Sequence, residues 1–153
     1  MNRKGFTLIE LLAVIILVAL IGVLVMPSVI DTSNKGKQAS YCILIKNIVT
    51  ASKSYYEECE YGDLSDSKYG EYVCTITDKT ITIKLSALAN TGFLSVKDVD
   101  ENNKKQVLDP TNNNNISDCQ ITITKNIDEK YKVTYTITPN GGTNCPTEYG
   151  SVE

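Results

Sequence analysis

Glu10 is the one carboxylate in an otherwise apolar run: from Phe6 to Met26 only Thr7 and Glu10 are polar. A carboxylate in hydrocarbon is costly and persists where it finds a partner or reaches the polar margin. Four residues into the run, Glu10 has both options, and what it can do chemically is hold a cation. Five cysteines form a second group, at positions 42, 59, 74, 119 and 145. None is spaced as C-x-x-C, so their expected chemistry is disulfide formation rather than metal binding. A third group, Asp109, Asn112 to Asn115 and Asp118, gathers oxygen ligands of the kind calcium takes. Asn-rich runs are more often solvated loops, so no metal site is expected, and Asp109 and Asp118 are only weak calcium candidates.

Other chemistry is excluded by what the chain lacks. It has no His and no Trp, which removes the commonest general base and transition-metal ligand. No G-x-S-x-G motif supplies a nucleophile, and no cofactor is implied. The net charge of −3, without a Lys/Arg cluster in the body, argues against nucleic acid as a partner. The nine tyrosines are scattered and read as ordinary packing.

The elements that must position these residues follow from periodicity. Phe6 to Met26, about 21 residues, spans ~31 Å as a helix, close to a bilayer's ~30 Å hydrocarbon core. The run exceeds the ~7–15 apolar residues of a secretory signal, and no A-x-A site follows it. A plain single-pass anchor explains its length but leaves Glu10 unexplained. Pro27 lacks an N–H and should kink the helix. Beyond Asp31 to Gly36, Ala39, Cys42, Ile45, Val49, Ser52 and Tyr56 recur at helical spacing, with Ile43 and Ile48 beside them and Lys46, Lys53 and Glu57 opposite. One long helix to about Glu58 is predicted, its second half packing this stripe on the body. Gly36 is the position where it could break in two.

Glu60 to Tyr72 reads as loop. Val73 to Thr77 and Thr80 to Ile83 alternate, predicting a short strand or hairpin. Leu85 to Ala89 reads as one helical turn and Val99 to Ser117 as loop. Gln120 to Lys125 and Lys130 to Thr138 predict an antiparallel hairpin ended by Pro139-Asn140-Gly141-Gly142. The tail to Glu153 reads as irregular.

Lys4-Gly5-Phe6-Thr7-Leu8-Ile9-Glu10-Leu11 resembles the processing signature of the type IV pilin and pseudopilin superfamily. With the apolar run through Pro27 the resemblance covers roughly a sixth of the chain, and its motif is highly specific. The resemblance implies that a prepilin peptidase cuts between Gly5 and Phe6 and methylates the new amine of Phe6. It also implies that Glu10 meets the N-terminal amine of a neighbouring subunit. Residues 1–5 would then be a leader, 6–26 a transmembrane and filament-core segment, 27–58 the amphipathic continuation, and 59–153 an extracytoplasmic β-rich head. The fold class is α+β, a long N-terminal helix laid on a small antiparallel sheet. Pro27 falls where many pilins kink. Arg3 and Lys4 hold the leader in the cytoplasm by the positive-inside tendency, which Lys35 and Lys37 weaken slightly.

The function implied is a non-enzymatic structural subunit of a pilus, competence or type II secretion-type filament. It would be a single-pass membrane protein first and part of an extracellular filament afterwards. Its expected partners are copies of itself, other pilins or pseudopilins, the prepilin peptidase and an assembly-platform membrane protein. The alternative is a membrane-anchored minor pilin acting as a tip or surface-binding module.

Cys59–Cys74 and Cys119–Cys145 are the expected disulfides, with Cys42 free. On one straight helix Cys42 and Cys59 stand ~25 Å apart, beyond the ~4.4–6.8 Å a disulfide spans. Cys74 can close the loop after the helix, and the terminal hairpin returns Cys145 toward Cys119. Five choices of free cysteine, each with three pairings, keep other connectivities open.

Overall fold

The computed structural model describes residues 7–62, 74–142 and 144–153, with backbone alone for 24–28. Two compact units are distinguished, residues 1–38 and 39–153. The elements are α1 (Leu8–Tyr61), β1 (Thr80–Lys84), α2 (Leu85–Asn90), β2 (Gln120–Ile127), β3 (Val133–Pro139) and β4 (Gly150–Val152).

α1 is 54 residues long and passes through Pro27 and Gly36 without interruption. From Leu8 to Val23 its side chains, Glu10 aside, are apolar and the large ones are exposed: Leu8 is 83% and Val23 72% accessible. Among the described residues, no helix is long and apolar enough to cross a membrane. The expected span of 6–26 runs beyond the described side chains at both ends; Thr7 to Val23 is the part they cover.

In the second unit the long helix meets a four-stranded antiparallel sheet of order β1-β2-β3-β4. The Thr-Ile alternation explains the sheet. Ile81 and Ile83, Ile121 and Ile123, and Tyr135 and Ile137 turn inward and are buried. The threonines between them form an outer ladder, with Thr82 and Thr122 hydroxyls 3.0 Å apart and Thr80 and Thr124 hydroxyls 3.4 Å apart. Strand period 2 and β-branched side chains produce this division directly. Each buried Ile or Leu stabilises the fold by ~1.5–3 kcal/mol relative to exposure.

The helical face turned to the core is Ile48, Val49, Ala51, Ser52, Tyr55 and Tyr56. Ser52, fully buried, donates its hydroxyl to the Ile48 carbonyl at 2.7 Å, so burial leaves it satisfied. The sequence stripe needs correction at its start: Ala39, Cys42 and Ile43 are exposed. Helical spacing shows which residues share a face, but that face is buried only where a partner surface covers it.

α2 follows β1 without a loop. Its first two N–H groups donate to Cys119 O and Ser117 O at 2.9 and 2.8 Å. Leu85, Ala87, Leu88 and Ala89 are buried. Leu94 N donates back to Leu88 O at 2.8 Å across Gly92, whose φ of 90° the turn requires.

Two further expectations change in part: the short strand forms as β1, but the alternation before it does not lengthen it, and the tail gains a strand. Thr77 makes only a bridge to Thr80 and Cys74 to Ile76 form no strand, while Tyr72 and Val73 lie outside the described residues. Most of the predicted loop of 60–72 lies outside them too. The tail is not irregular throughout: β4 pairs Gly150 with Ile137 and Val152 with Tyr135. Three residues are too few for a visible alternation, and the open edge of β3 supplies the hydrogen bonds.

The cysteines are joined as Cys59–Cys74 and Cys119–Cys145, with Cα–Cα distances of 5.4 and 5.6 Å. Cys42 is free and exposed. Gly142, at φ 121°, passes the second bridge so closely that a Cβ there would meet Cys145 Sγ.

Candidate functional site

The N-terminus of α1 is built by a reciprocal pair. Thr7 precedes the first helical residue and Glu10 is the third, the spacing of a capping box. Thr7 N–H donates to Glu10 Oε2 at 3.0 Å and Thr7 Oγ1 donates to the same oxygen at 2.9 Å. Glu10 N–H donates in return to Thr7 Oγ1 at 3.4 Å. The free N–H groups of a first helical turn carry partial positive charge, so a carboxylate there is favoured.

Both Thr7 bonds use Oε2, and Oε1 takes no hydrogen bond among the described residues. Glu10 is therefore held in place by its own helix while one acceptor oxygen stays unused among the described residues. Around it Leu8, Ile9 and Leu11 are 83, 78 and 60% exposed, an apolar collar uncovered among the described residues. Gly5 and Phe6 lie outside the described residues. At Pro27 only the backbone is described, and it is helical.

The other end of α1 has a different problem. Glu57, Glu58 and Glu60 crowd its last turns and no basic residue follows them in the helix. Negative charge is unfavourable at a helix C-terminus. The cation comes from the sheet instead. Lys125 continues the inward series of Ile121 and Ile123 and is 7% exposed. Its Nζ donates to Glu60 Oε2 at 2.5 Å, Glu60 Oε1 at 2.8 Å and Tyr61 Oη at 3.0 Å. The Glu60 and Tyr61 bonds hold the Lys125 ammonium well above its ordinary pKa. Beside it Tyr135 Oη donates to Glu57 Oε1 at 3.3 Å. Burial first, then the Glu57 charge, pushes the Tyr135 phenol up to about 12. Sequence reasoning missed Lys125; the signal was its parity with Ile121 and Ile123.

The calcium candidates are engaged elsewhere. Asp109, buried, accepts from Thr111 N–H at 2.7 Å and Thr111 Oγ1 at 2.6 Å. Asp118 pairs with Lys84 at 2.9 Å. Among the described residues no group of three or more His, Cys, Asp or Glu is placed to hold a metal ion.

Residues 1–26 match the family model of the prokaryotic N-terminal methylation motif, the type IV pilin and pseudopilin signature. No curated protein and no solved structure matches the chain. The chain thus carries the signature of a pilin-like structural protein on an α+β fold, a long N-terminal helix with a four-stranded antiparallel sheet.

Proposed function

We propose that this pilin-like chain is a filament subunit, processed between Gly5 and Phe6, methylated on the Phe6 amine and joined to its neighbours through Glu10. The observation that carries the reading is the methylation motif, in which Glu10 stands capped by Thr7 with one oxygen unused.

The chemistry follows from charge. In the precursor the Phe6 nitrogen is a peptide nitrogen and offers no cation. Cleavage turns it into an ammonium at a helix N-terminus, where positive charge is disfavoured. An acid must neutralise it, and in an apolar surrounding each charge is costly alone and tolerable as a pair. Glu10 Oε1 of one subunit meets the Phe6 amine of the next, and this pairing selects one axial register. Processing is then the switch for assembly.

Residues 6–26 anchor the precursor in the membrane with the leader in the cytoplasm, and the exposed apolar side chains of α1 exchange lipid for other helices on assembly. The prepilin peptidase and an assembly-platform membrane protein are the partners this route requires. Intact-mass measurement of exported protein is the test. A mature chain starting at a methylated Phe6 supports the reading; one starting at Met1, or beyond Met26, overturns it.

A further inference from the structure

We infer that the head carries a second subunit contact: the tip of the β2–β3 hairpin of one copy seats Tyr131 in a groove of the next. The groove lies between Tyr41, Cys42, Ile45 and Lys46 of α1 and the segment Thr147 to Tyr149, with a volume of about 460 Å³. That is within the ~300–1,000 Å³ range of ligand sites and has room for an aromatic side chain. One wall, Tyr149, is 8% exposed, and its hydroxyl is buried without a hydrogen-bond partner among the described residues. Buried polar groups are almost always satisfied, so an unpartnered one needs an explanation. Because that hydroxyl is itself closed off from solvent, Tyr149 meets an occupant through its other atoms.

The tip is built as a rigid display. Asp128 Oδ1 accepts from Lys130 N–H at 2.9 Å and Lys132 N–H at 2.8 Å, and Tyr131 N–H donates to Asp128 O at 3.0 Å. Tyr131 sits at φ 61°, a conformation bulky residues rarely adopt, and is 88% exposed. The turn holds a large aromatic ring in water, where it covers nothing of its own head.

Charge selects a second copy as the occupant. Lys46 and Glu148 line the groove, and Glu129 and Lys130 flank the tip, none of them in an ion pair among the described residues. Seating the tip lets Glu129 approach Lys46 and Lys130 approach Glu148. The tip cannot fill its own groove. Tyr131 and Ile137 stand ~20 Å apart along the hairpin at ~3.3 Å per residue, and Ile137 is paired with Gly150, next to Tyr149. A knob and a groove at opposite ends of one head make a head-to-tail contact, which propagates as an open helix rather than closing as a dimer. The contact is small and stabilises only a lattice already formed by α1. It therefore rests on the filament reading above.

Native Cys42 on the groove supplies the probe. Lys130→Cys is produced in the full chain, and sheared filaments and detergent-dispersed subunits are treated with diamide, a thiol oxidant. The expected result is a ladder of subunit multiples on non-reducing gels from filaments only. It should vanish with Cys42→Ser and fall at least roughly tenfold with Tyr131→Ala, the scale of a buried aromatic anchor. Filaments without a ladder overturn this contact and leave the filament reading standing. An equal ladder from dispersed subunits, or an adduct that is not a subunit multiple, also overturns it. Absence of filaments from the unsubstituted chain removes both readings.

Discussion

Lys125 Nζ, on the inner face of β2, lies 2.5 Å from Glu60 Oε2 in the last turn of α1. The pair joins the two secondary structures of the head and gives the acidic helix end its cation. Lys125→Met leaves Glu60 without that partner beside a buried surface. We expect a loss of ~1–3 kcal/mol, the usual cost of an unsatisfied buried polar group. Pairing it with Glu60→Gln should recover part of the loss. Thermal denaturation of both variants checks the order.

Alkali should weaken the head through Tyr135. Its folded pKa is raised from 10.0 to about 12. A raised folded pKa means that the native state keeps a proton the unfolded chain has released. The associated stability is complete below pH 10 and is lost as pH rises toward 12. Lys125 and Tyr149, both shifted upward, add in the same direction. Tyr135→Phe should flatten the decline of melting temperature over this window, and an unchanged slope would remove Tyr135 as its source.

The disulfides should differ sharply from the free thiol. Cys59–Cys74 spans a sequence separation of 15 and Cys119–Cys145 one of 26. On the chain-entropy estimate the first bridge contributes ~3 kcal/mol and the second about half a kcal/mol more. Replacing either pair by Ser should lower the melting temperature, most for Cys119–Cys145. Cys42→Ser should leave it unchanged, because that side chain is exposed.

Tyr149→Phe removes a hydroxyl that has no hydrogen-bond partner among the described residues. The variant should be as stable as the natural chain or more so, since the desolvation cost of that group disappears. Calorimetry giving a clear loss would show that the hydroxyl is bonded in solution.

Glu10 has two separable roles. Glutamine at the same position can still close a capping box with Thr7, but it carries no charge. Glu10→Gln should therefore keep the helix start and lose assembly; Glu10→Ala should lose both. Thr7→Val keeps the acid and the backbone N–H bond to it, loses the two bonds through the hydroxyl, and should assemble better than either. Shear-fraction yield, read against membrane levels of each variant, separates the roles. Normal filaments from Glu10→Gln would show that the cap alone matters.

Local patterns were enough to read the motif from Lys4 to Leu11, the Thr-Ile alternation of β2 and β3, and the short α2 after β1. Each depends on residues close in sequence: a cap spaced by three, a strand period of two, a single turn. The bridges Cys59–Cys74 and Cys119–Cys145 followed from where those elements begin and end. Tertiary structure alone decided where the helical stripe stops being covered, so that Cys42 and Ile43 face outward while Tyr55 lies inside. It also drew Gly150 to Val152 onto the open edge of β3, enclosed Tyr149, and brought Lys125 to Glu60 across a separation of 65 residues. Periodicity tells which side chains share a face; how far a partner surface reaches, and which charge waits on it, is set by chain segments remote in sequence that only folding brings together.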